Sequence, residues 1–249
     1  QKVEKAALSK KRDTQNFVDE MSQNFRDLIP FLGCQIDDFI RTTEERHKIA
    51  TQFLWNKLKD NDQIYLSNYE GWYSIRDEAF YLESELTKTE NGRIAPSGAP
   101  VEWVKEESYF FKLSHWEDEL IEYYEKNPDS ILPRSRYNEV LSFIKSGLKD
   151  LSISRTTFKW GIPVPNNKDH VMYVWTDALI NYLTTLDYPN VEKDLFNKYW
   201  PGVHIVGKDI LRFHSIYWPA FLMAADLDPP KRVFAHGWWT NEGQKISKS

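Results

Sequence analysis

Cysteine is almost absent from this chain. A single residue, Cys34, in 249 excludes an intrachain disulfide and leaves no cysteine pair for a zinc site. Long apolar runs are missing too. Nothing approaches the roughly 18 consecutive apolar residues that cross a bilayer, and the opening QKVEKAALSKKRD has no signal-peptide hydrophobic region. A cytoplasmic protein in a reducing compartment, with no membrane partner, is the expectation. Internal repeats and low-complexity tracts are also lacking. Positive charge is in deficit: a net charge of -5 speaks against a continuous nucleic-acid surface, although local basic patches still hold phosphates in an acidic protein.

The chain is 41% hydrophobic and 15% aromatic, enough for a large core, and most of those rings must be core or pocket wall. The clearest organisation lies between His170 and Ser249. HVMYVW alternates and is rich in β-branched and aromatic residues, so it reads as a strand with Asp177 as the N-cap of a following helix. Ala178, Leu179, Tyr182, Leu183 and Leu186 recur at helical spacing. VHIV from Val203 begins a short strand bounded by Gly207, and Asp209 is placed to cap the next helix. Four-residue spacing sets Ile210, His214 and Trp218 on one face of that helix, with Phe213, Tyr217 and Phe221 alongside. RVFAH is another strand. Strand-helix-strand punctuation of this kind predicts an α/β fold whose ligand crevice lies beyond the carboxyl ends of parallel strands. The turns after Trp175, Val206 and His236 are therefore the candidate functional positions, and the last runs into the polar loop GWWTNEGQKISKS.

Toward the front, Asp13 or Thr14 caps a helix with an apolar face of Phe17, Met21, Phe25 and Leu28, ending near Pro30 and Gly33. Thr42 with Glu45 reads as a capping box, and Ile49, Phe53, Leu54 and Leu58 as the buried side of its helix. From Ile64 the texture changes to strands, IYLSNYEGWYS, AFYLESEL and VEWVKEESYFFKLS, around the turn-rich TENGRIAPSGAP. Helices through Leu120, Ile121 and Tyr124 and through Val140, Ile144 and Leu148 follow. The simplest organisation is an α/β domain in two parts, residues 1–63 and 151–249, with a strand-containing insertion at 64–150. A charged opening helix with no strand before it suggests a missing front.

These residues resemble methionyl-tRNA synthetase, a class I aminoacyl-tRNA synthetase, over essentially the whole chain. KISKS at Lys245 to Ser249 is similar to the KMSKS loop, which leucyl, isoleucyl, valyl and cysteinyl enzymes share. YVWTDALINYL, GKDILRFHSIYWPAFL, AHGWW, DDFIRTTEERH and VEWVKEESYFFKLS resemble methionyl segments in the same order. The resemblance implies a Rossmann-like parallel-sheet catalytic domain with an inserted connective-peptide domain. It also implies that the HIGH motif and the anticodon-binding domain lie outside this stretch. Many relatives hold zinc in the insertion through cysteines; with none between Ser84 and Val101, no structural zinc is expected.

What the resemblance implies for chemistry is ATP-dependent activation of L-methionine and transfer to tRNA(Met), with ATP and Mg2+ as substrate. The alternatives are a non-catalytic fragment that binds methionine or a partner, and a different class I synthetase, leucyl, isoleucyl, valyl or cysteinyl. Lys248 and Lys245 would neutralise phosphate charge as pyrophosphate leaves, and Arg155, in SISRTTF, is a candidate contact for the transition state or the tRNA acceptor end. Gly207, Asp209, His236 and Trp239 would hold the nucleotide, although Asp209 also reads as a plain N-cap. Trp175, Ala178, Tyr182, Ile210, His214 and Trp218 would line the methionine pocket, where rings suit a thioether. The same stripe also reads as ordinary aromatic core.

Overall fold

The computed structural model describes residues 2–89, 92–192 and 194–242, together with the backbone of the short strand Gln244–Lys245. Three strands form the parallel sheet, in the order Val203–Gly207, Arg232–His236, Ile131–Leu132. His204 and Val206 point into the core, as do Val233 and Ala235. The alternate residues Val203, Ile205 and Phe234 are exposed on the other face. Helix Trp218–Ala224 packs under the buried face, with Trp218, Ala220, Phe221 and Leu222 all buried.

The predicted α/β class and parallel pairing are thus present, but one strand is differently placed. Of the HVMYVW segment only His170, Val171 and Met172 are in a strand, Asn167–Met172, which runs antiparallel to both Ser154–Arg155 and Pro163–Val164; Tyr173 caps a helix and Val174 and Trp175 lie inside it. Alternating β-branched and aromatic residues give a strand in either setting, so the pattern does not carry strand direction. A four-stranded antiparallel sheet follows the order Ala79–Tyr81, Ile64–Ser74, Glu102–Phe111, Leu151–Ser152. A small hairpin pairs Thr87–Thr89 with Gly92–Ile94.

The segment assigned above to the insertion is not all separate from the rest. Ile131 and Leu132 pair with Val233 and Phe234 in the parallel sheet. Helices Glu117–Lys126 and Arg134–Lys145 contribute Leu120, Tyr124, Tyr137, Val140 and Ile144 to the same core as Leu54, Trp55 and Phe221. Phe111, at the end of a long insertion strand, meets Phe221 edge-on at 4.7 Å. The long hairpin therefore projects from a base rooted in the main core.

Helix Thr14–Phe31 is capped as expected, the Asp13 carboxylate accepting from the Asn16 N–H at 2.9 Å, but only Phe17 of its predicted apolar face is buried. Helix Glu45–Asp60 begins after Glu44 without a side-chain cap, so the Thr42–Glu45 capping box does not form. Its buried stripe is His47, Ala50, Thr51, Leu54, Trp55 and Leu58. Ile49 and Phe53 are about half exposed, at 53% and 48%.

Candidate functional site

Two turns at the carboxyl end of the parallel sheet come together. Gly207 ends its strand directly opposite His236, and a Cβ placed on Gly207 would lie 2.5 Å from Asp209 Oδ1 and 3.9 Å from His236 Cε1. Only a residue without a side chain fits between that carboxylate and that ring. Gly207 is itself the N-cap of the single 3-10 turn Lys208–Ile210, so Asp209 lies inside the turn rather than capping a helix. Lys208 reaches back to place its ammonium 4.2 Å from the Trp238 ring centroid, a cation–π contact. The His236 ring bonds through Nδ1 to the Gly237 carbonyl at 2.7 Å. Trp239 is 78% exposed.

The aromatic group lies beside this cradle. Trp175 stacks on Phe213 at 4.0 Å and 9°, and meets His214 edge-on at 6.0 Å. Both contacts come from consecutive residues because Phe213–Tyr217 is a π-helical turn, in which the Trp218 N–H reaches the Phe213 carbonyl. Such wide turns inside helices are frequent at functional sites. The His214 Nδ1–H donates to the Ile210 carbonyl at 2.9 Å, leaving Nε2 to accept from the Tyr182 hydroxyl at 2.9 Å. Burial pushes the His214 pKa down and the Tyr182 phenol up to about 12, so both are neutral at pH 7.

A cleft of about 900 Å³ exposes part of this assembly, with Trp175, Lys208, Asp209, Ile210, Phe213, Tyr217 and Trp238 on one side. Arg76, Asp77, Phe80, Tyr81 and Ser97 of the projecting hairpin region form the opposite side. Of the six residues expected to line an amino-acid pocket, Trp175 and Ile210 face the cleft. Tyr182, His214 and Trp218 stand behind them, Trp218 fully buried. Ala178 ends the short helix Val174–Ala178 that carries Trp175. Phe213 and Tyr217 are cleft residues that four-residue spacing set merely alongside; a π turn shifts the register by one residue and brings them round.

The helix carrying Trp175 starts at Val174 with Tyr173 as N-cap, so Asp177 is not a cap. Its carboxylate instead sits 2.7 Å from His47 Nε2. The Thr184 hydroxyl donates to the Ile180 carbonyl and lies 3.0 Å from His47 Nδ1. Burial raises the Asp177 pKa, opposed by the hydrogen bond from His47.

Arg155, expected as a contact for the transition state or the tRNA acceptor end, is placed differently. It is 1% exposed, forms a short ion pair with Glu106, and lies 4.1 Å over the Tyr73 ring. Glu106 also accepts from the Thr156 N–H and hydroxyl, both at 3.0 Å. The guanidinium thus joins the hairpin strand Glu102–Phe111 to the main body through Nε, and its Nη1 is buried without a hydrogen-bond partner among the described residues. Lys248 lies outside the described residues, and of Lys245 only the backbone pairing with Thr240 is described. Among the described residues no helix is long and apolar enough to cross a membrane, and no cluster of three or more His, Cys, Asp or Glu could hold a metal.

The model of the family described as tRNA synthetases class I (M) matches residues 1–249. The methionine–tRNA ligase of Rickettsia typhi is 63% identical over 250 aligned residues, covering 100% of this chain and 48% of the relative. That of Mesorhizobium japonicum is 53% identical over 249, again covering 100% of this chain and 48% of the relative. The chain thus spans about half the length of these curated relatives. Among solved structures, Mycobacterium tuberculosis methionyl-tRNA synthetase bound by methionyl-adenylate superposes with a TM-score of 0.96 at 48% identity. That match covers 99% of this chain and 49% of the other. The apo form of the same enzyme gives 0.83 at 49% identity, over 90% and 46%. With a family match from end to end and this fold, the chain belongs to the methionine-type class I tRNA synthetases.

Proposed function

We propose that this chain is a large part of a catalytic domain that activates L-methionine with ATP and passes the methionyl group to tRNA(Met), in cytoplasmic protein synthesis. The observation that carries the reading is the adjacency of two unlike surfaces. A glycine-carboxylate-histidine cradle at the ends of two parallel strands suits a ribose, and a ring-lined cleft directly beside it suits a thioether.

In the activation step a methionine carboxylate oxygen attacks the α-phosphorus of ATP, supplied as its magnesium complex. The bond to the β-phosphate oxygen breaks, and pyrophosphate leaves. The protein contributes position and charge rather than covalent chemistry. Asp209 accepts hydrogen bonds from ribose hydroxyls while Gly207 lets the sugar approach the backbone, with His236 beside the adenosine and the backbone around Trp239 at the adenine edge. Trp175 and Ile210 contact the methionine side chain, with Ala178, Tyr182, His214 and Trp218 supporting or completing that wall. Lys248, with Lys245, neutralises charge on the departing pyrophosphate. Arg155 is left a supporting role through Glu106.

Methionine-dependent pyrophosphate exchange by the complete enzyme tests the reading. Lys248→Ala is expected to lower the exchange rate about 100-fold or more with little change in methionine affinity. Exchange unaltered by that substitution rejects the assignment of the lysine, and exchange with a different amino acid rejects methionine as substrate.

A further inference from the structure

His204 is the residue behind the aromatic wall that a reading of VHIV as a plain strand passes over. It is 3% exposed, and three of its partners, Trp218, Tyr182 and His214, back the cleft, while the Trp200 ring lies 5.9 Å away. The Trp218 indole N–H donates to His204 Nε2 at 3.1 Å. The Tyr182 ring lies flat on the imidazole at 3.8 Å and 13°, and His214 meets it edge-on at 6.2 Å. Because Nε2 is an acceptor, the ring proton is on Nδ1, where the Val203 carbonyl provides the backbone hydrogen bond.

These contacts link two wall elements that share no backbone hydrogen-bond ladder. Trp218 opens helix Trp218–Ala224, and Tyr182 sits in helix Asn181–Thr184. Tyr182 in turn donates to His214, whose ring edges Trp175 at the cleft. Removing the acceptor at His204 leaves the Trp218 N–H buried and unsatisfied. Removing the flat ring withdraws the surface on which Tyr182 rests.

We propose that His204 is a positioning residue for side-chain selectivity, holding Trp218 and Tyr182, and through Tyr182 and His214 the ring of Trp175. The proposal rests on the cleft being the methionine site. His204 does not touch the ligand; it fixes the shape into which an unbranched thioether fits.

The test uses the complete enzyme and pyrophosphate exchange with methionine and with norleucine, the sulfur-free unbranched analogue, alongside ATP KM and thermal melting. His204→Phe keeps a flat ring but offers Trp218 no acceptor. It is expected to raise methionine KM about tenfold and to narrow the methionine preference over norleucine, with ATP KM within about twofold. His204→Gln restores an acceptor at similar reach and recovers most of the loss. Adding Trp218→Phe to His204→Phe removes the stranded donor, so the pair falls short of the sum of the single effects. If His204→Phe does not fold, His204→Asn, too short to reach Trp218, takes its place against His204→Gln. Unchanged methionine KM and preference overturn the proposal. So do methionine and ATP KM rising together with a lower melting temperature, or strict additivity of the two substitutions. A wild-type enzyme that exchanges no methionine removes the underlying reading, a distinct outcome seen before any variant is made.

Discussion

Gly207→Ala isolates the proposed nucleotide cradle from everything else. The backbone at Gly207 has φ -68° and ψ 147°, a conformation alanine adopts freely, so the added methyl brings no backbone strain. Its Cβ would nevertheless stand 2.5 Å from Asp209 Oδ1, where ordinary contact begins at 3.4 Å, so the carboxylate must retreat by about 0.9 Å. The next atoms, Asp209 Cγ at 3.7 Å and His236 Cε1 at 3.9 Å, are already at normal range and need not move. A displacement of about 1 Å at a positioning group costs about 100-fold in rate; for a contact to the sugar alone, a loss of roughly 10- to 100-fold in kcat/KM for ATP follows. Methionine KM is expected to stay within about twofold, since Trp175 and Ile210 are untouched. Stability moves the other way: alanine restricts the unfolded chain and adds about 0.4–1 kcal/mol where its conformation fits. The assay is pyrophosphate exchange with ATP varied at saturating methionine, paired with thermal melting. Unaltered ATP kinetics would show that Asp209 does not hold the ribose. A fall in melting temperature would show that the methyl acts through the fold.

Two further outcomes follow from buried charge. Arg155→Met strands the Glu106 carboxylate and is expected to lower stability by about 3–5 kcal/mol, roughly 10 °C in melting temperature. Arg155→Met with Glu106→Leu recovers much of it. A variant that melts normally yet loses activity would return Arg155 to the reaction. His204 is lowered from 6.5 to about 3, chiefly by burial and then by His214. The folded protein therefore binds fewer protons than the unfolded chain between those values. That stability is fully present above pH 6.5 and declines as pH falls toward 3, by about 2 kcal/mol at pH 5. Chemical denaturation at pH 7.5 and pH 5 should show a larger acid loss in wild type than in His204→Gln; equal losses refute the assignment.

How much of this was legible in the sequence depends on what each signal encodes. Val203–Gly207 and Arg232–His236 were readable because short β-branched runs stop at glycine, and the position of Gly207, Asp209 and His236 at the strand ends followed from the same punctuation. Strand direction was not readable: alternation in HVMYVW signals a strand in either setting, and Asn167–Met172 pairs antiparallel on both sides. Asp177 looked like a cap because a carboxylate precedes an apolar helical run, but the actual N-cap lies four residues earlier at Tyr173, which carries no capping signal. Ile49 and Phe53 have the spacing of a buried stripe, yet the helix is rotated so that His47 and Thr51 face inward, where Asp177 and Thr184 meet the His47 ring and the Thr51 hydroxyl bonds to that ring in turn. Partners 130 residues away in the chain leave no local trace. Arg155 shows the same limit, since its ion pair with Glu106 is a tertiary fact.

The wide turn at Phe213–Tyr217 also constrains how this stretch can change. One surplus residue lets neighbours 213 and 214 attend to the same indole, and it rotates all that follows by a fraction of a turn. Losing any single residue between Ile210 and Trp218 would tighten the coil into an ordinary α-helix and swing either the stacked ring or the imidazole away from Trp175. Substitutions here are a matter of chemistry, whereas length is fixed by geometry, and viable homologous segments should vary in letters far more readily than in number.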